Sequence, residues 1–247
     1  MPSEMNHLAL RVVAPDPTQR GDAVEVRPII DGQDILATAF DQGPAEDPGQ
    51  LLAPSRPLMP SHEPKEVRLA EAECTEGCCG AVYVTITREE DAVVWSNWRN
   101  PDGAVDLPSY RFDMRPYEAE VERAVADHSW EWPARTVARL LEESLRRQTQ
   151  WLDRWRCRLA WVSALPSERD RVTVAFFHPG PPAGSDEQPW LQFRQVLSVT
   201  DDAPIGQADR MLRDLLEADP RATGEVCGGS REFAGRLGYP WPERFGP

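Results

Sequence analysis

The sequence predicts an α+β fold with a mainly antiparallel sheet and three to four helices. Three observations predict it. Short runs of apolar and β-branched residues lie between turn signals. A few longer segments repeat apolar residues every three or four positions. The order is strands, helices, strands, helices, rather than the strict alternation of a parallel sheet. The 247 residues, 40% hydrophobic and 28% charged, are enough to bury a sizeable core. They read as one α+β domain over 1–247, with a proline-rich loop at 42–64 as a candidate internal boundary.

Residues 8–14 and 23–30 are expected strands, and Asp31-Gly32 is a turn signal before Ile35 and Leu36. Pro44, Pro48, Pro54, Pro57, Pro60 and Pro64, with Gly43 and Gly49, mark 42–64 as a loop wrapping the surface. Residues 66–100 form the clearest β region. There Val82, Val84 and Ile86 alternate with Tyr83, Thr85 and Thr87, the pattern of a half-buried strand. Glu89-Glu90-Asp91 is a charged turn, and the return through Val93 to Trp98 makes 81–98 an antiparallel hairpin. Asn100-Pro101-Asp102-Gly103 ends it.

Tyr117, Val121 and Val125, spaced by four, predict a helix over 115–126. Pro133 suits the first turn of a second helix. Its stripe is Val137, Leu140, Leu141 and Leu145, with Trp151 and Trp155 as an extension. Strands return at 157–163, 171–177 and 190–199. Pro204 opens a further helix carrying Ala208, Met211, Leu212, Leu215 and Leu216, and Asp219-Pro220 stops it. A last helix over 230–237 ends at Gly238, and the tail from Tyr239 to Pro242 is expected to be irregular.

Charge narrows the function. Asp and Glu number 41 against 27 Lys and Arg, a formal net charge of −14. That field repels nucleic acid and anionic membranes, and it suits solubility or a basic partner. Lys65 is the only lysine and sits in the proline-rich stretch, which argues against Schiff-base and P-loop chemistry. Residues 1–7 have no basic stretch followed by an apolar run, and nothing approaches a membrane span. Cytoplasmic residence with reduced or metal-bound cysteines is therefore the expectation.

The common catalytic signatures are missing: no Walker loop, no H-E-x-x-H, no G-x-S-x-G and no G-x-G-x-x-G. The stretch from Glu73 to Gly80 instead holds Cys74, Cys78 and Cys79. Cys227, before Gly228 and Gly229, supplies another thiol in an expected glycine-rich turn. Cys74, Cys78, Cys79 and Cys227 are thus candidate ligands of a four-thiolate zinc site, although the paired C-x2-C spacing is missing. Adjacent Cys78 and Cys79 would not both face one ion in an extended strand, but a glycine-flanked turn can present one of them. Redox chemistry and plain packing are the rival readings, and Glu73 and Glu76 would raise the thiol pKa rather than activate it.

Trp95 and Trp98 on the hairpin, with Trp130 and Trp132 before the second helix, are a candidate ligand or partner surface. Their rival role is as core anchors. His128 lies beside Asp127 and near Glu131, and His178 ends a strand before Pro179. A capping or surface role is expected for both histidines rather than acid–base catalysis.

The segments 68–80, 129–135 and 189–193 (Arg68 to Gly80, Ser129-Trp130-Glu131-Trp132-Pro133-Ala134-Arg135 and Pro189-Trp190-Leu191-Gln192-Phe193) resemble an uncharacterised group of hypothetical proteins from streptomycetes and related actinobacteria. The similarity covers most of the chain. It implies a cytoplasmic bacterial setting and carries over no catalytic or binding residue. The leading expectation is a non-enzymatic acidic binding or regulatory protein of the immunity-protein type, neutralising a basic protein partner. The alternatives are a zinc or thiol-dependent protein built on the cysteines, and a small-ligand binder using the tryptophan-rich surface.

Overall fold

The computed structural model describes residues 5–18, 23–74, 76–180 and 189–242. Residues 1–4, at the start of the segment read for a leader, and Thr75 inside the cysteine stretch lie outside the described residues. The chain divides after Trp130 into two units, residues 1–130 and 131–247. The proline-rich segment 42–64 lies inside the first unit.

The first unit begins with β1 (Leu8–Val13) antiparallel to β2 (Glu25–Ile30). Asp31 and Gly32 both take positive φ, as the expected two-residue turn requires, and lead into the short β3 (Gln33–Asp34). Asp34 then caps α1 (Ile35–Ala39), accepting from the amides of Leu36 and Ala37. Asp47 caps α2 (Pro48–Leu51) in the same way.

A second sheet is a meander. β4 (Lys65–Glu71) pairs with β5 (Ala81–Glu89) after α3 (Glu76–Cys79). β5 pairs with β6 (Ala92–Arg99), and β6 with β7 (Tyr110–Asp113). The 81–98 hairpin is therefore antiparallel as expected. Val82, Val84 and Ile86 are 0%, 0% and 1% exposed, while Tyr83, Thr85 and Thr87 are half-buried.

α4 (Met114–Ala126) follows β7 and buries Met114, Tyr117, Val121 and Ala124. It also covers part of the free edge of β1. Leu10 N donates to Glu120 Oε1 at 2.6 Å, and Arg123 Nη2 donates to Leu10 O at 2.7 Å. An exposed strand edge left unpaired invites association with another chain, and this pair covers one residue of it.

The second unit opens with α5 (Pro133–Arg146), its proline in the first turn, and α6 (Thr149–Arg154). The sheet combines β8 (Arg158–Ser163), β9 (Arg171–His178), β10 (Leu191–Ser198) and β11 (Glu225–Gly229) in the order β11-β10-β9-β8. α7 (Pro204–Glu217) packs on α5; α8 (Pro220–Thr223) and α9 (Arg231–Leu237) complete the unit. Val137, Leu141 and Leu145 are buried as the stripe predicts, together with Val172, Val174 and Phe176. A smaller cluster gathers Leu191, Phe193, Val226 and Ala234, with Tyr239 and Trp241 of the tail packed against it.

Mixed α/β architecture with antiparallel sheets is thus observed, but the helix count is not. Three sheets and nine helices occur among the described residues, against three to four helices expected. Only α4, α5 and α7 reach 13 or 14 residues. The extra helices are mostly single capped turns, too short to leave a 3.6-residue periodicity in the sequence.

Three local expectations also change. Trp151 does not extend α5; the chain breaks at Arg147 and Gln148 and restarts as α6. The loop 42–64 is not confined to the surface, because Leu51, Leu52 and Leu58 are buried in the core. Cys227-Gly228-Gly229 is strand rather than turn: Gly228 pairs with Gln192 and Gly229 with Leu191. A Cβ on Gly229 would run into the backbone of Trp190, so glycine there permits close strand approach. Among the described residues no helix is long and apolar enough to cross a membrane.

Candidate metal centre

Three thiols sit in the connection between β4 and β5. Glu71 and Ala81 are the last paired residues of the two strands. Beyond that pair, Ala72 N donates to Gly80 O at 3.1 Å and Gly80 N to Glu76 O at 3.0 Å. Gly80 has φ +85°, and a Cβ there would collide with the Asn100 side chain. Asn100 Oδ1 accepts from Ala81 N and from Asp102 N, so it ties the loop exit to the neighbouring turn. α3 is one turn long and carries Cys78 and Cys79.

That turn brings both adjacent cysteines to one place. The Sγ atoms of Cys74, Cys78 and Cys79 all lie within 4.8 Å of one another. Cys79 Sγ donates to Cys78 Sγ at 3.6 Å. Thiolates about 2.3 Å from a tetrahedral zinc lie about 3.8 Å apart, so the trio can hold one metal ion with small adjustments. The expectation that a turn presents only one of the adjacent pair is corrected: a helical turn, unlike an extended strand, does not send neighbouring side chains to opposite faces. Cys74 and Cys78 are exposed and Cys79 is half-buried.

Without a cation the Cys79 thiol holds its proton. The Cys79 thiol is pushed up to about 12 by the hydrogen bonds with Cys74 and then Cys78, and by partial desolvation. A thiol so placed is a poor nucleophile, and a bound cation would reverse the balance by stabilising thiolates.

Cys227 belongs to the second unit, on β11, and is half-buried. The trio is completed within the first unit alone.

The loop adjoins an acidic groove of about 820 Å³, whose walls include Glu25, Asp41, Glu46, Asp47, Glu71 and Glu73. It forms because residues 42–46 run beside β4. Glu73 N donates to Gln42 O at 3.1 Å, Glu71 N to Pro44 O at 3.3 Å, and Glu46 N to Leu69 O at 2.9 Å. Gly43 permits the approach, since a Cβ there would strike the backbone of Glu71 and Ala72. Part of this charge is offset: Arg68 is paired to Glu46 and, at 2.7 Å, to Glu71, and Arg27 to Glu25 at 2.8 Å. The sequence showed the acidity but not the pairing that gathers it.

Two of the four candidate tryptophans are interior. Trp95 is 0% exposed, and its Nε1 donates to Tyr117 Oη at 3.0 Å. Trp132 is 5% exposed. Both are interior residues, because a large ring gains most by leaving water. Trp98 is half-buried and donates to Pro108 O at 2.9 Å; Trp130 is half-buried and donates to Asp127 O at 2.8 Å.

His128 is exposed, and the Asp127 carboxylate beside it accepts from Ser129 and Arg123. Glu131 pairs with Arg139 at 2.8 Å.

His178 was expected to cap or face solvent and is instead 6% exposed. Arg221 Nη1 can only donate, so its 3.4 Å approach makes His178 Nε2 the acceptor. Nδ1 then carries the proton and donates to Arg156 O at 3.2 Å. Burial first, and then the Arg221 charge, lower the imidazole pKa. Arg221 is forked onto Asp219 at 2.6 Å. The nearby Cys157 thiol donates to Trp155 O at 3.4 Å and is pushed up to about 12 by burial. Cys157 and His178 are therefore neutral structural partners rather than an activated pair. No spacing in the sequence could have joined them, because they meet only across the register of β8 and β9.

Comparison with known proteins found no matching family model, no matching curated protein and no matching solved structure, so the loop of Cys74, Cys78 and Cys79 must be interpreted from its own chemistry.

Proposed function

We propose that the chain is a thiolate metal-binding protein whose centre is Cys74, Cys78 and Cys79, with zinc as the ion. One observation carries this reading: three sulfurs from a single short loop converge within 4.8 Å. Thiolate sets favour zinc and other soft cations over hard ones. Three thiolates leave one position of a zinc tetrahedron for water or a further donor, and Cys227 is the donor the sequence nominates.

The test is zinc or cobalt titration of the reduced chain without oxygen, followed by metal analysis and sulfur-to-metal charge-transfer absorption. One ion per chain is expected. Serine at Cys74, Cys78 or Cys79 should weaken binding by at least about tenfold, the loss seen when even supporting partners of a metal site are removed. Cys227→Ser decides the fourth position. A chain that takes up no thiophilic metal sinks the reading.

A second reading is favoured by the acidic groove, which suits a basic protein partner without any catalytic step. Coulomb attraction to exposed carboxylates is screened by salt. An arginine-rich peptide should therefore bind weakly and lose affinity steeply with ionic strength. Asp41→Asn combined with Glu73→Gln, both exposed in the groove, should reduce that binding, and salt-independent binding would count against it. The tryptophan-based ligand reading has no comparable support, since Trp95 and Trp132 are interior.

A further inference from the structure

The donor set at the loop is three sulfurs. Among the described residues no imidazole nitrogen or carboxylate oxygen joins Cys74, Cys78 and Cys79 in their group. A zinc tetrahedron is left one donor short by this loop, whereas a three-coordinate centre is satisfied by it completely. Charge points the same way. Glu73 and Glu76 stand in the loop; Glu71 beside it is paired with Arg68 at 2.7 Å and accepts from Glu76 N at 3.3 Å. Three thiolates on a divalent metal carry one net negative charge, and on a monovalent metal two. Neighbouring carboxylates penalise both adducts. Three thiolates on a trivalent centre are neutral and incur no such penalty. Access is open as well, because Cys74 and Cys78 are exposed.

We infer that the loop is a receptor for a trivalent, three-coordinate metalloid, arsenic(III) or antimony(III), taken up as its neutral hydroxide. The step is a condensation. Three S–H bonds and three metalloid–O bonds break, three metalloid–S bonds and three O–H bonds form, and three waters leave. No atom changes oxidation state, so neither oxidant nor reductant is needed. The ligands come from one loop whose ends are pinned by Ala72, Gly80 and Asn100, so the sulfurs are gathered before the centre arrives.

This inference rests on the thiol-centre reading, and the experiment separates the two. The full reduced chain is mixed with arsenite without oxygen and followed by intact mass and thiol titration. The expected result is a gain of one arsenic with loss of three hydrogens, and three thiols protected out of five. Serine at Cys74, Cys78 or Cys79 should leave a two-thiol adduct that dissociates at least about tenfold more readily, while Cys157→Ser and Cys227→Ser leave it unchanged. A thermal melt of each variant checks that it is folded, and excess zinc should not displace the arsenic. If zinc binds the trio and displaces arsenite, the metal-centre reading stands and this inference is overturned. Protection of only two thiols, or dependence on Cys227, also overturns it. Uptake of neither zinc nor arsenite removes both.

Discussion

At the scale of single residues, Tyr117 joins three parts of the first core. Its hydroxyl accepts from Trp95 Nε1 and donates to Leu58 O at 2.7 Å, wholly out of water. Burial raises its pKa, so the hydroxyl stays neutral. Tyr117→Phe deletes one atom and strands two buried partners, a donor and an acceptor. Each stranded group costs about 1–3 kcal/mol, so a loss in that range or somewhat above it is expected by urea denaturation. A cost below about 0.5 kcal/mol would mean that water reaches the site. His178 makes a different prediction. Its folded pKa lies below the usual 6.5, so the unfolded chain binds a proton that the folded chain does not. Stability should therefore be full above about pH 6.5 and fall as pH drops from there toward the lowered folded value. Melting temperatures across that window measure this, and His178→Gln should flatten the slope. An unchanged slope in the variant would assign the effect to other groups.

At the scale of elements, two glycines decide whether the metal loop and the groove exist. Gly80 turns the chain into β5 at positive φ against Asn100, and Gly43 lets residues 42–46 lie beside β4. Alanine at position 80 needs both an unfavourable backbone and a displaced Asn100, with a cost of about 1–3 kcal/mol. It should also weaken metal or metalloid binding, because Asn100 anchors the loop exit. Gly43→Ala should cost a similar amount, since the obstructing atoms are backbone and cannot rotate away. It should leave the affinity of the thiol trio nearly unchanged. Paired stability and binding measurements on the two variants check this contrast. Equal losses of affinity would show that the groove wall and the thiol loop are one cooperative element.

At the scale of the whole molecule, the first unit has two sheets and the second has one, each unit with its own helices. The second unit carries its own buried set from Val137 through Phe193. A fragment covering 131–247 should fold alone, because a domain with its own core needs no partner to exclude water. A sigmoidal thermal melt and dispersed amide resonances would establish this, and a molten fragment would refute it. The net charge of −14 acts over the entire surface. DNA and RNA should bind negligibly near 0.15 M salt in an anisotropy titration, and submicromolar binding would reveal a local arginine surface strong enough to overcome the field.

By itself the sequence determined what depends on near neighbours. The alternation of Val82, Val84 and Ile86 set the hairpin face, and the Asp31-Gly32 turn set the β2–β3 register. The stripe of Val137, Leu141 and Leu145 set the buried side of α5. These follow from periodicity and local backbone preference, which a linear string records. The closeness of Cys74, Cys78 and Cys79 was partly legible for the same reason, since all three lie in one short loop. Tertiary structure alone decided the rest. It placed Trp95 and Trp132 inside and sent Leu51, Leu52 and Leu58 from a proline-rich loop into the core. It brought His178 to Cys157 and Arg221, and made Cys227 part of a strand. Each of these depends on which distant segments share a register or compete for the same buried volume. That competition is settled by packing over the whole unit, and no local spacing encodes it.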